Sequence, residues 1–200
     1  MPALLALAIR SVPDGFQSSL EWTEKIYGNM TVTQSFISNK DNLLAIGASI
    51  KNPMLINKKN LMVTIMDERG SSKIITVNGQ NIKDGNFIKF TFEPIALAAN
   101  HKFDVTFSSP DSTSNEAFEV FITKNPKPTD QNLTVNGQKK EGAIATVSFH
   151  KPANLISHSL NIYSQLISKF LGDRIFTIAY LFLIMIFLGS YFIIFSKKLN

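Results

Sequence analysis

Between residues 31 and 149 apolar and polar positions alternate in short runs with a period of two. In 44–51, Ile46, Ala48 and Ile50 share a face; in 61–67, Leu61, Val63 and Ile65 point one way and Met62, Thr64 and Met66 the other. Residues 87–92 read FIKFTF, which groups Ile88, Phe90 and Phe92, and Phe103, Val105 and Phe107 repeat the pattern. With 31–38, the β-branched 73–77, 117–123 and 143–149, eight strands are predicted. Turn residues separate them at Asp67-Glu-Arg-Gly70 and Ser109-Pro-Asp-Ser112, 125–131 (NPKPTDQ) reads as a proline-containing loop, and 81–84 as a helical turn. Even spacing of short strands predicts an all-β fold, an antiparallel sandwich of jelly-roll type over residues 21–150. The peptide Thr-Val-Asn-Gly-Gln occurs at 76–80 and at 134–138. Asn-Gly accepts positive φ at both positions, so two similar turns are expected, and the unlike flanks argue against a repeat.

After Lys151-Pro152 the period changes. Ile156, Leu160, Tyr163, Ile167 and Phe170 recur at spacings of four and three, an apolar stripe that predicts an amphipathic juxtamembrane helix over 151–173. The plain reading is a stalk that packs on the domain or lies at a membrane surface; the alternative is a pairing seam with a partner protein. From Ile175 to Phe195 there is no charged residue. As a helix this run spans ~31 Å, the thickness of a bilayer's hydrocarbon core. A transmembrane helix is therefore predicted at 174–196, with a basic tail at 197–200. Ile175, Phe176, Phe182, Phe187 and Phe195 supply its apolar surface, while Tyr180 and Tyr191 lie near its ends, where amphipathic rings favour the interface. The segment 1–20 stands apart. Its first nine residues, MPALLALAI, are apolar but precede Arg10, the reverse of a secretory signal; they read as the remnant of a longer signal or membrane segment, with a first strand or a disordered tail as the alternatives.

Net charge is +5; the residues flanking the apolar helix account for +2 of it, leaving a mildly basic remainder. The pairs Lys58-Lys59 and Lys139-Lys140 read as solvated turn residues, and without a dense basic stripe nucleic acid is not an expected partner. The absence of cysteine excludes a disulfide framework, a thiolate zinc site and a cysteine nucleophile. His101, His150 and His158 lack ligand spacing and read as surface or boundary residues. A two-carboxylate hydrolase would need two of Asp41, Asp67, Glu68, Asp84 and Asp104 facing one cleft. Asp41-Asn42 and Asp111 read as turn residues, with a structural Ca²⁺ as the less ordinary role. No catalytic residue, resident metal or cofactor is expected. Trp22, the single tryptophan, and Tyr27 are the candidate ligand-binding residues; packing on the sandwich edge is the preferred reading, stacking on a sugar ring the sharper one. Asn29-Met-Thr31 and Asn132-Leu-Thr134 match the permissive N-glycosylation acceptor.

The residues Gln34-Ser-Phe36, Asn42-Leu43, Ile46, Asn60-Leu61 and Asp67, then Ile82-Lys-Asp84-Gly-Asn86, Lys89-Phe-Thr-Phe92, Pro94-Ile95, Phe103, Ser108-Ser-Pro110 and Val135-Asn-Gly137, carry a resemblance. Together with the 143–149 strand they resemble an uncharacterised β-sandwich domain of bacterial membrane proteins. The resemblance implies a jelly roll similar to carbohydrate-binding modules, in proteins that sometimes have glycosyltransferase or polysaccharide-assembly character; it supplies no catalytic residues. The leading expectation is a non-enzymatic, single-pass, membrane-anchored binding or accessory module, with the β-domain outside the cytoplasm and contacting envelope polysaccharide. A structural subunit of a membrane complex, for example with a glycosyltransferase, is the alternative, and a hydrolase with a carboxylate cleft the second. The expected partners are the lipid bilayer and a glycan or membrane protein. Lys197 and Lys198 favour a cytoplasmic C-terminus, Lys169 and Arg174 oppose them, and the resemblance decides for the domain outside.

Overall fold

The computed structural model describes the backbone of residues 11–152 and 155–199, with side chains throughout the first range and, in the second, at 160, 163–164 and 167–189. The expected N-terminal membrane remnant lies largely outside the described residues. The β-domain is one compact unit, Arg10–Pro152, and the C-terminal helices belong to another.

Among the described residues thirteen antiparallel strands form two sheets. The first holds β1 (Val12–Pro13), β2 (Trp22–Ile26), β4 (Leu43–Lys51), β7 (Asn86–Ile95), β9 (Phe118–Thr123), β12 (Ala143–Ile144) and β13 (Thr146–His150). The second runs β11 (Gln138–Lys140), β10 (Asp130–Val135), β3 (Val32–Ile37), β8 (Lys102–Ser108), β5 (Asn60–Asp67), β6 (Ser72–Asn78). In the first sheet β4 has β7 along one edge, with Ile46 opposite Phe90. Its other edge takes β13, with Ala48 opposite Thr146, and then β9, with Ile50 opposite Val120. Because β4 is flanked on both edges and covered on both faces, its residues from Leu43 to Ile50 are all buried. Between the sheets lies a single core that includes Phe90, Phe103, Phe107 and Phe118.

All eight predicted strands are present, the last divided at Ala145 into β12 and β13. Four more, β1, β2, β10 and β11, were not legible as strands: β2 reads WTEKI, whose charges mask its alternation, and β10 begins inside the expected 125–131 loop. β1 also brings Val12 and Pro13 into the domain, ahead of the boundary expected at residue 21.

The two copies of Thr-Val-Asn-Gly-Gln fold differently, which corrects the expectation of similar turns. At 134–138 Asn136 and Gly137 have φ of 51° and 76° and join β10 to β11 as a tight hairpin. At 76–80 the chain makes a 3₁₀ turn, Gly79–Asn81, and Gly79 is pressed against neighbouring backbone, so that a Cβ there would lie 2.3 Å from the Asn57 carbonyl oxygen.

That contact belongs to a buried polar clasp at one end of the sandwich. Asn52 Nδ2 donates to the carbonyls of Asn57 (2.9 Å) and Gly79 (3.1 Å), and Asn52 Oδ1 accepts from Asn57 N (3.0 Å). Asn57 Nδ2 donates to Ser112 Oγ (2.9 Å) and to the Glu116 carbonyl. Ser112, at the end of the predicted turn, is buried here, its Oγ 2.5 Å from that of Ser109. Asn52 and Asn57 pinch the loop between them: it carries a 3₁₀ turn, Pro53–Leu55, in which Met54 and Leu55 adopt φ of 55° and 56°. This left-handed conformation costs non-glycine residues ~1–2 kcal/mol each.

In the C-terminal unit the amphipathic segment forms α1 (Leu155–Gly172) and the apolar one α2 (Arg174–Leu199). Asp173 separates them and caps α2, its Oδ1 accepting from Phe176 N at 3.0 Å. Phe170 and Phe176 pack against Tyr180 at the elbow, with ring centroids 5.2 and 6.2 Å away. Of the stripe, Leu160, Tyr163 and Ile167 are exposed and Phe170 half-buried; the Ile156 side chain lies outside the described residues. In α2, Ile175, Tyr180, Phe182 and Phe187 are exposed, and the side chains of Tyr191 and Phe195 are outside the described set. Leu181 to Leu188 are eight consecutive exposed apolar residues, so this helix is apolar around its circumference. Among the described residues, whose side chains in α2 end at Gly189, no helix is long and apolar enough to cross a membrane.

Candidate functional site

Residues opposite one another in an antiparallel pair share a face. On β2, Trp22 opposes Ile122 and Ile26 opposes Phe118, and both partners are fully buried. β2 therefore turns Trp22, Glu24 and Ile26 toward the interior at the open edge of the sandwich. Glu24 there meets Lys140 of β11 at 2.8 Å, an ion pair that links the two sheets. Trp22 packs in part on the core and in part lines an open groove of 600 Å³ with Lys124, Glu141 and Gly142. Lys124 Nζ stands 6.0 Å from the centre of the Trp22 ring, at the outer reach of a cation–π contact. Gly142 has φ of 92°, and a Cβ on it would lie 2.9 Å from Trp22 Cη2 and 2.6 Å from the Thr123 carbonyl oxygen. Only glycine lets this loop lie against the ring. An aromatic surface with an ammonium and a carboxylate on its rim can take the CH face of a sugar ring and hydrogen-bond its hydroxyls.

A second cleft of 310 Å³ lies between the sheets, lined in part by Asp14, Phe36, Lys127, Asp130, Thr146 and Ser148. Lys127 Nζ donates to the Thr146 carbonyl at 2.6 Å, and Lys127 N to Asp130 Oδ2 at 2.8 Å. Burial pushes the Lys127 ammonium down, against the pull of Asp130 and Asp14. Burial likewise pushes Asp130 above the usual carboxylate range, only partly offset by the Lys127 amide and ammonium. Asp14 goes the other way. Burial opposes its ionisation, but the hydrogen bond from Asn39 Nδ2 (3.0 Å) and the Lys40 ammonium (3.2 Å) outweigh it and hold the carboxyl low.

Tyr27 does not join Trp22. The two stand at opposite ends of β2, ~17 Å apart along an extended strand, too far to share one sugar. The five carboxylates considered from sequence line neither recess. Asp67 accepts from the backbone N–H of Arg69 and Ser71, Glu68 pairs with His101, Asp104 accepts from Ser35, and Asp41 from Ala99 N. The carboxylates that do share a cleft, Asp14 and Asp130, are brought together only by the fold, from opposite ends of the domain, and no local spacing marks them. His150 is 3% exposed: Nδ1 lies 3.1 Å from the Asp41 carbonyl oxygen, and Nε2 has no partner among the described residues. Burial pushes its imidazole toward the neutral form. The side chain of His158 lies outside the described residues. Among the described residues no group of three His, Cys, Asp or Glu is placed to hold a metal ion. Asn29 and Asn132 of the two acceptor motifs are both exposed.

No family model and no curated protein matches the chain. Among solved structures it is similar to a ruminal GH26 endo-β-1,4-mannanase, at 11% identity and a TM-score of 0.33, over 70% of this chain and 21% of that one. The chain thus spans about a fifth of that enzyme's length.

Proposed function

We propose that this protein is a membrane-tethered β-sandwich that holds a glycan at the Trp22 groove without transforming it. The observation that carries this reading is Trp22 itself, half-buried at the open sandwich edge with Lys124 and Glu141 on the rim. The resemblance to a domain like carbohydrate-binding modules points the same way. The tether is α2: its run from Ile175 to Phe195 has no charge, and its described side chains are apolar on all sides. The Asp173 cap and the aromatic elbow set its start.

Because Trp22 is the only tryptophan, its fluorescence reports on the groove alone. Titration of the full chain with envelope glycans is expected to shift its emission for at least one of them. Lys124→Ala should weaken that binding ~10-fold, which corresponds to ~1.4 kcal/mol. A panel that leaves the emission unmoved removes the glycan from this reading.

The resemblance, rather than the charges that flank α2, favours a domain on the outer side of the membrane. A cysteine introduced as Asp111→Cys, exposed beside the buried Ser112, is expected to react with an impermeant maleimide in intact cells. Protection until lysis would sink the envelope-glycan reading and turn attention to partners inside the cell.

A second reading, hydrolysis in the Lys127 cleft, draws on the opposite displacements of Asp14 and Asp130, the arrangement that separates a base from an acid. New reducing ends in the titration samples, lost in Asp130→Asn, would favour it over plain binding.

A further inference from the structure

The loop that follows β4 breaks two rules at once. Met54, Leu55 and Ile56 are 83%, 56% and 38% exposed, so three large apolar side chains in a row face solvent. Two of them also hold the left-handed backbone that suits glycine, with φ of 55° and 56°. Neither oddity is left to chance: Asn52 and Asn57, both buried, close the loop's base by hydrogen bonds in both directions. The domain thus spends a buried network on keeping an apolar tip outside itself, and strain of this sort marks sites of function.

The surroundings of the tip define what it meets. Lys58 and Lys59 follow it directly and are exposed. Lys83 is exposed next to Ile82, whose carbonyl accepts from Asn52 Nδ2 at 3.4 Å. Among the described residues none of the three has a carboxylate partner, whereas Lys51 nearby is paired with Glu119 at 3.6 Å. Asp84, the exposed Asp111 beside Ser112 and the half-buried Glu116 are the described acids at this end besides Glu119, against Lys58, Lys59 and Lys83. The tip contains no Trp, Tyr or Arg, the residues that anchor protein–protein interfaces, and lysine is depleted from such interfaces. Aliphatic side chains that enter an acyl boundary, with lysines behind them at headgroup depth, are the chemistry of an interfacial membrane anchor.

We propose that residues 53–56 form a rigid insertion spike that docks this end of the β-domain on an anionic lipid surface. The strand β4 runs from Leu43, beside His150 where the domain ends, to Lys51, where the spike begins. The spike therefore stands ~27 Å along the strand from the chain's exit. The anionic surface lies at that distal end of the domain.

The chain has no cysteine, so Leu55→Cys can carry a single environment-sensitive fluorophore on the full-length protein. The chain is held in neutral phosphatidylcholine vesicles, or used in solution if it does not associate with them, and acceptor vesicles containing phosphatidylserine are added. A blue shift of the label is expected with these acceptors and not with pure phosphatidylcholine ones. The vesicle affinity it reports should weaken ~5-fold for each of Lys58→Gln and Lys59→Gln; the shift should disappear with Met54→Ser plus Ile56→Ser, and be absent for a label at the exposed Ser72→Cys. No shift, an equal shift with neutral acceptors, or a shift that grows with protein density without acceptors, the mark of a second copy, would each overturn the proposal. Because the label reads the tip directly, failure of the α2 tether alone leaves this readout intact.

Discussion

Asn57→Ala is expected to lower the stability of the β-domain by ~3–4 kcal/mol. The side chain is fully buried and serves three partners: it donates to Ser112 Oγ and to the Glu116 carbonyl, and accepts from Lys59 N at 2.8 Å. Alanine removes all three; Ser112 Oγ keeps Ser109 Oγ, while the part-buried Glu116 carbonyl and Lys59 N–H lose this partner. Each stranded buried group costs ~1–3 kcal/mol, against the smaller net worth of the same bond when both partners can be solvated. Asn57→Asp keeps the shape but has no donor, so it should fail almost as badly. Urea unfolding followed by Trp22 fluorescence checks this through the midpoint at constant slope. A loss under ~1 kcal/mol would mean that the clasp is solvated.

Phe90→Ala is expected to cost ~3–5 kcal/mol, the range for a large side chain removed from a close-packed interior. Phe90 on β7 and Phe107 on β8 belong to different sheets, and their rings meet edge to face with centroids 5.8 Å apart. They are thus part of what fixes the spacing between sheets, and the pair cannot close a void without moving a whole sheet. The edge-to-face term should be separable as ~0.5–1.5 kcal/mol of coupling in a cycle of Phe→Leu substitutions at the two positions. Additive single effects would show that the rings contribute area alone.

What could be read from the sequence follows from how each strand is solvated. β5 has one face buried and one wet, so Leu61, Val63 and Ile65 announce it. β2 and β10 lie near sheet edges and carry charged or polar residues that still share a ladder, and their alternation is hidden. The two Asn-Gly turns look identical in sequence, and only the backbone packed against Gly79 distinguishes them. The candidate site was half legible. Trp22 stood out by type, but Lys124 reaches it through the pairing of β2 with β9, and Glu141 and Gly142 through that of β12 with β9. No periodicity records such a meeting. The turn at Ser109-Pro-Asp-Ser112 was legible, but the burial of Ser112 was not, because it comes from Asn57, 55 residues earlier.

The position of β13 also governs how the domain is made. It closes the sheet beside β4, with Thr146 opposite Ala48, and among the described residues β1 in turn pairs only with it, Val12 opposite His150. The last strand synthesised is thus the one the first strand waits for. Pairings of such sequence separation form slowly, since the loop must close before any contact rewards it. Until residue 150 leaves the ribosome, one long edge of β4 lacks most of its partner, and an apolar strand with a bare edge is a template for aggregation. Nascent chains that stall or end before that point would carry most of the core residues and still have no finished sandwich in which to place them.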